Sequence, residues 1–93
     1  MSDILKILKE HKQELFNKYP IQSLALFGSY SRGDYTSESD VDIMVDFKKP
    51  VGIEFLDLCY DIESLLKKEV DLVSKKGIKP KYYTFIEEDL QYV

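Results

Sequence analysis

The chain has 93 residues, 44% of them hydrophobic and 13% aromatic, which suffices for one modest core in a single domain spanning 1–93 and leaves no room for a second. A formal charge of −4 argues against direct binding of nucleic acid, whose phosphates need clustered lysine and arginine. One cysteine, Cys59, cannot form an intramolecular disulfide, and neither a leader pattern at Met1–Lys6 nor a membrane-length apolar run is present, so a cytoplasmic chain is expected.

Ile4, Leu8, His11 and Leu15 recur at helical spacing behind Ser2 or Asp3 as N-cap, predicting a first helix that Pro20 stops. His11, the one histidine, has no second ligand near it in sequence and reads as a helix-face residue. The apolar run Leu24–Phe27 predicts a strand that ends at Gly28-Ser29, where backbone amides and a hydroxyl can meet phosphate oxygens. Arg32 adds a planar cationic fork suited to a polyphosphate, and Gly33 lets the chain turn closely around it. Tyr30, inside this loop, is a candidate for stacking on a base, with a structural role as its alternative.

Val41, Ile43, Val45 and Phe47 alternate with Asp40, Asp42, Met44 and Asp46, the period of a half-buried strand. Asp40 and Asp42 then share a face roughly 6.5–7 Å apart at the backbone. Two converging carboxylates at that spacing can hold hard divalent ions, whereas acids kept only for solubility at a sheet edge need no loop beside them. Asp46 falls farther along the same face and reads as a surface residue.

Pro50 and Gly52 mark a turn before a second amphipathic helix carrying Phe55, Leu58, Cys59, Ile62, Leu65 and Leu66. Cys59 lies on its apolar face, where a small buried hydrophobe is expected. Val70–Val73 predicts a further strand on which Asp71 is the central carboxylate and Glu69 its flanking neighbour. Lys75, Lys76, Lys79 and Lys81 form a basic loop that reads as a solvated connector. Tyr83, Ile86, Leu90 and Val93 predict a final helix. The aromatic residues around it, Tyr82, Tyr83, Phe85 and Tyr92, are expected to pack in the core, a partner interface being the alternative. The fold class that follows is α/β (α+β): a small mixed β-sheet with helices packed on it.

Gly28-Ser29, ten intervening residues, then Asp40-Val41-Asp42 resembles the signature of the polymerase-beta-type nucleotidyltransferase superfamily. With Arg32-Gly33, Ser39 and the short chain, the pattern is similar to the minimal nucleotidyltransferases, the MNT or MntA-like antitoxins, and the resemblance covers nearly the whole sequence. It implies that Asp40, Asp42 and Asp71 are catalytic and bind magnesium, as two ions, while Gly28, Ser29 and Arg32 bind ATP, the co-substrate. It further implies transfer of AMP to a tyrosine of a cognate all-helical HEPN ribonuclease toxin, within a hetero-oligomeric complex. The alternatives are an antitoxin that only occludes its toxin, or an antibiotic-type small-molecule nucleotidyltransferase, although those enzymes normally carry an additional helical domain.

Overall fold

Where one helix is predicted through His11, the computed structural model, which describes residues 3–93, has two: α1 (Asp3–Glu10) and α2 (Lys12–Lys18). The His11 amide still reaches the Ile7 carbonyl at 3.2 Å, but the His11 ring Nδ1 also lies 3.0 Å from that carbonyl as a donor. His11 itself leaves helical geometry at φ −105°, ψ 9°. A side chain competing for a ladder carbonyl is a recognised cause of such a kink.

Strand β1 (Ile21–Phe27) starts three residues before the predicted Leu24. A register shift between Ile21 and Ser23 turns Gln22 out to solvent and breaks the alternation on which sequence reading depends. Strand β2 (Val41–Phe47) has its predicted bounds and runs antiparallel to β1, with Leu24 opposite Val45 and Leu26 opposite Ile43. It runs parallel to β3 (Val70–Ser74), a pairing that requires a crossover, and α4 (Glu54–Leu66) supplies it. Leu58, Ile62 and Leu66, at four-residue spacing, turn α4 onto the sheet. They meet Leu24, Leu26, Ile43 and Val45 from the strands and Leu8 and Leu15 from α1 and α2. Fully burying a side chain such as Leu58 or Ile62 contributes roughly 1.5–3 kcal/mol.

Asp61 on α4 ties α2 to this layer: it accepts hydrogen bonds from the Tyr19 hydroxyl and from Lys18 Nζ, the latter at 2.7 Å. These bonds hold the Asp61 carboxyl below the usual carboxylate range, while burial, then Asp61, pushes the Tyr19 phenol up. Cys59 is half-buried, its Sγ 3.7 Å from the Val70 carbonyl, and burial raises its thiol. The helix ends at Lys67 in a left-handed conformation, φ 54°.

The C-terminal segment departs most from expectation. The basic stretch opens with a 3-10 turn (Lys75–Gly77), and the helix that follows, α5 (Pro80–Ile86), is only seven residues long. A second 3-10 turn (Glu87–Asp89) leads to β4 (Gln91–Tyr92), which pairs antiparallel with β1 in a sheet ordered β3-β2-β1-β4. Three consecutive acids at 87–89 oppose the dipole at a helix C-terminus, and the free edge of β1 offers unpaired backbone groups instead. The Val93 amide accordingly donates to the Leu24 carbonyl at 2.9 Å. Tyr83, Ile86, Leu90 and Val93 are half-buried as their spacing suggests, but Tyr82, Phe85 and Tyr92 are exposed, so the core role expected of those aromatics does not hold. Among the described residues, no helix is long and apolar enough to cross a membrane.

Candidate active site

Strand register assembles the site at one end of the sheet. Phe27, the last residue of β1, stands opposite Asp42 on β2, and Asp42 stands opposite Asp71 on β3. Gly28 follows directly at φ 74°, ψ −154°, a region open essentially to glycine alone. A Cβ there would overlap Asp42 Oδ2 and lie 3.1 Å from Asp42 Cγ, so the loop and the carboxylate are packed against each other. Next comes a single helical turn, α3 (Ser29–Arg32), in which the Gly28 carbonyl accepts from the amides of Ser31 and Arg32, both at 3.0 Å. Gly33 closes it at φ 92°. The Ser29 side chain, half-buried at the head of the turn, makes no hydrogen bond among the described residues.

Asp42 is half-buried, whereas Asp40 and Asp71 are exposed. Burial, then the charges of Asp71 and Asp40, hold the Asp42 carboxyl above its usual range, with Arg32 partly offsetting them. Asp40 precedes β2, which begins at Val41, so its side chain is not fixed by the strand alternation that the sequence suggests. Among the described residues, no three Asp, Glu, His or Cys side chains close around a common point as they stand. The donor chemistry nevertheless fits a hard cation. Asp42 and Asp71 are direct cross-strand neighbours, the three charges repel, and the two exposed carboxylates have room to rotate.

Arg32 is already engaged. Its Nη1 lies 2.8 Å from Asp89 Oδ2 and its Nε 3.1 Å from Asp34 Oδ2, while the Ser31 hydroxyl donates to the Asp89 carbonyl. Sequence reading had no signal for Asp89, which arrives from the other end of the chain. The pair with Asp34 is exposed on both sides and therefore weak, whereas the Asp89 carboxylate is largely covered. Tyr30 is 5% exposed, with its ring flat against Tyr35 at 4.2 Å and Lys68 Nζ 5.9 Å from its centroid. It is therefore a packing residue and not a platform for a base. Asp46, expected at the surface, is half-buried with Oδ1 sealed from solvent and lacking a hydrogen-bond partner.

A cavity of about 760 Å³ lies between α1 and α3, lined by Lys6 and Lys9 on one side and Arg32 and Gly33 on the other. A second, of about 380 Å³, opens beside Asp71 beneath α5.

The family model for the nucleotidyltransferase domain matches residues 5–93. A Methanocaldococcus jannaschii chain named as a protein adenylyltransferase is 48% identical over 97 residues, covering 100% of this chain and 97% of that one. The protein adenylyltransferase MntA of Thermococcus cleftensis is 37% identical over 94 residues, covering 100% of this chain and 95% of its own. In fold, the chain is similar to the solved structure of a tri-AMPylated Shewanella oneidensis HEPN toxin in complex with MNT antitoxin. The TM-score is 0.71 at 23% identity, covering 96% of this chain and 70% of that one. The glycine-led loop and the aligned carboxylates thus stand in a chain that belongs to the nucleotidyltransferase domain family, as a minimal protein adenylyltransferase of the MntA type.

Proposed function

We propose that this chain is an antitoxin that transfers AMP from ATP to a tyrosine hydroxyl of a HEPN-family toxin, with which it forms a hetero-oligomeric complex in the cytoplasm. The observation that carries this reading is the alignment of Gly28, Asp42 and Asp71 at one end of the sheet. The fold shared with an MNT antitoxin whose HEPN partner is tri-AMPylated supports the choice of group transferred and of acceptor.

In this reading the tyrosine oxygen bonds to the α-phosphorus of ATP, the bond to the bridging oxygen of the β-phosphate breaks, and pyrophosphate leaves. The Ser29 hydroxyl and the start of α3 receive the β- and γ-phosphates. Arg32 gives up Asp34 and Asp89 for phosphate oxygens, placing its fixed fork where charge accumulates on the leaving group. Asp71, the outermost of the aligned positions, faces the acceptor and takes the hydroxyl proton. Asp40, Asp42 and Asp71 would hold magnesium, which supplies charge stabilisation for the attacking and leaving oxygens.

A second reading, neutralisation by occlusion alone, is favoured by the exposed aromatics of α5, which could bind a partner without chemistry. ATP labelled at the α- or the γ-phosphate separates the two, with every HEPN protein of the same genome offered as acceptor. Nucleotidyl transfer predicts protein-bound label from α-labelled ATP only, and none after chelation of divalent ions by EDTA. A complex that forms without label on either protein contradicts the transferase reading in favour of occlusion, and label appearing on a small molecule contradicts the protein acceptor.

A further inference from the structure

Helix α5, beside the candidate site, buries none of its residues. Tyr82 and Phe85, three residues apart and so on one helical face, are 66% and 78% exposed. Exposed aromatics adjoining a cleft are the usual anchors of protein recognition. Against this helix lies the cavity of about 380 Å³ lined by Phe27, Val73, Ile78, Tyr82 and Ile86 together with Asp71 and Lys79. Its walls are mostly apolar, and its one carboxylate belongs to the candidate catalytic set.

The segment that carries α5 is locally opposite in charge to the chain as a whole. Lys75, Lys76, Lys79 and Lys81 fall between Ser74 and Ile86 with no acidic residue among them, although the net charge is −4. Lys75 Nζ lies over the Tyr83 ring at 5.8 Å and Lys76 Nζ reaches the Phe47 carbonyl at 3.3 Å, while Lys79 and Lys81 are exposed at the groove and on the helix. None of the four is in an ion pair among the described residues. A further group of exposed apolar residues, Ile53 at the N-cap of α4 with Leu56 and Tyr60 on the helix, is interleaved with Glu54, Asp57 and Asp61, and none of the three lines the cavity at Asp71.

We propose that the outward face of α5 and the groove beneath it dock the protein substrate. The surface grips an apolar segment bordered by acidic side chains and leads its acceptor hydroxyl along the groove to Asp71. This placement rests on the adenylyl-transfer reading given above and adds to it where the partner binds and what chemistry the partner presents. Phe85 and Tyr82 are the anchors, and Lys79 and Lys81 select the acidic border and steer its approach.

The test uses the HEPN protein that the wild-type chain modifies, titrated calorimetrically with four forms of the full chain: wild type, Tyr82→Ser with Phe85→Ser, Lys79→Glu with Lys81→Glu, and Ile53→Ser with Tyr60→Ser. The α5 pair is expected to weaken the complex at least about tenfold, the loss typical of an interface anchor. The lysine reversals are expected to weaken it and to flatten its salt dependence, and the α4 pair to bind as wild type does. The thermal shift produced by ATP with magnesium checks that each variant is folded. Wild-type affinity in the α5 pair, or loss of binding in the α4 pair instead, overturns the docking surface and leaves adenylyl transfer standing. Failure of the wild-type chain to modify any HEPN protein overturns the transfer reading and the docking surface with it.

Discussion

Gly28→Ala is expected to destabilise the fold by about 2 kcal/mol and to abolish transfer, because one added methyl group acts on both the backbone and the carboxylate. The backbone conformation, φ 74° and ψ −154°, is one in which a side chain costs roughly 1–3 kcal/mol. In a domain of this size about 2 kcal/mol corresponds to roughly 8–16 °C in melting temperature. The methyl group also has nowhere to go, since Asp42 Oδ2 already occupies its place, and Asp42 must swing away from its position opposite Asp71. Gly33→Ala separates the two effects. At φ 92° with open space around the added carbon, it costs backbone strain of about 1–2 kcal/mol but displaces no carboxylate. Calorimetric melts and transfer rates of the two variants check this, together with Gly28→Ala combined with Asp42→Ala, which is expected to recover part of the lost stability and none of the transfer. Full activity in Gly28→Ala contradicts the packing of loop against carboxylate.

Asp40→Asn with Asp42→Asn is expected to reduce transfer at least roughly a thousandfold, the scale on which removing preorganised charge stabilisation acts. It is expected at the same time to make the metal-free protein more stable at neutral pH. The direction follows from Asp42, whose carboxyl is held above its ordinary range by burial and by its two neighbours. A carboxyl with a raised folded-state value favours the fold while protonated. The wild-type chain therefore loses stability as pH rises from the unfolded value, about 3.9, through the raised folded one, and carries the full cost above it. The amide variant has no such loss, so the gap between the two melting curves opens with rising pH and persists at neutrality. Melts in EDTA across the acid range measure it, and a variant less stable than wild type at pH 7 contradicts the account of this cluster. Selection for function at the expense of stability is the general pattern at such sites.

How far the fold was legible in the sequence depended on how local the cause of each element is. Val41–Phe47 could be read to its bounds because alternation runs along the strand with Met44 as its one exception, and α4 was recognisable as a helix, though not to its bounds, because its apolar stripe is uninterrupted. The kink at His11 depends on one ring nitrogen competing for a carbonyl, and the bulge near Gln22 hides the true start of β1. Neither leaves a mark on hydropathy. At the C-terminus, Tyr83, Ile86, Leu90 and Val93 keep helical spacing, yet the edge of β1 draws Gln91 and Tyr92 into the sheet, an outcome decided by a strand more than sixty residues away in sequence. The same holds at the site. Gly28, Asp40 and Asp42 lie within one segment, and Asp71 was recognisable as the central acid of a strand. The Asp89 partner of Arg32 and the stacking of Tyr30 on Tyr35 are products of tertiary packing alone.

The central claim is that this chain attaches AMP to a partner protein, and intact-mass spectrometry of the HEPN proteins of the same genome, after incubation with the chain, ATP and magnesium, tests it most directly. The account predicts a mass rising in whole increments of AMP on one of them, on a tyrosine, and no rise when Asp40→Asn with Asp42→Asn replaces the wild type. Unchanged masses throughout, or an equal rise with that variant, would contradict it.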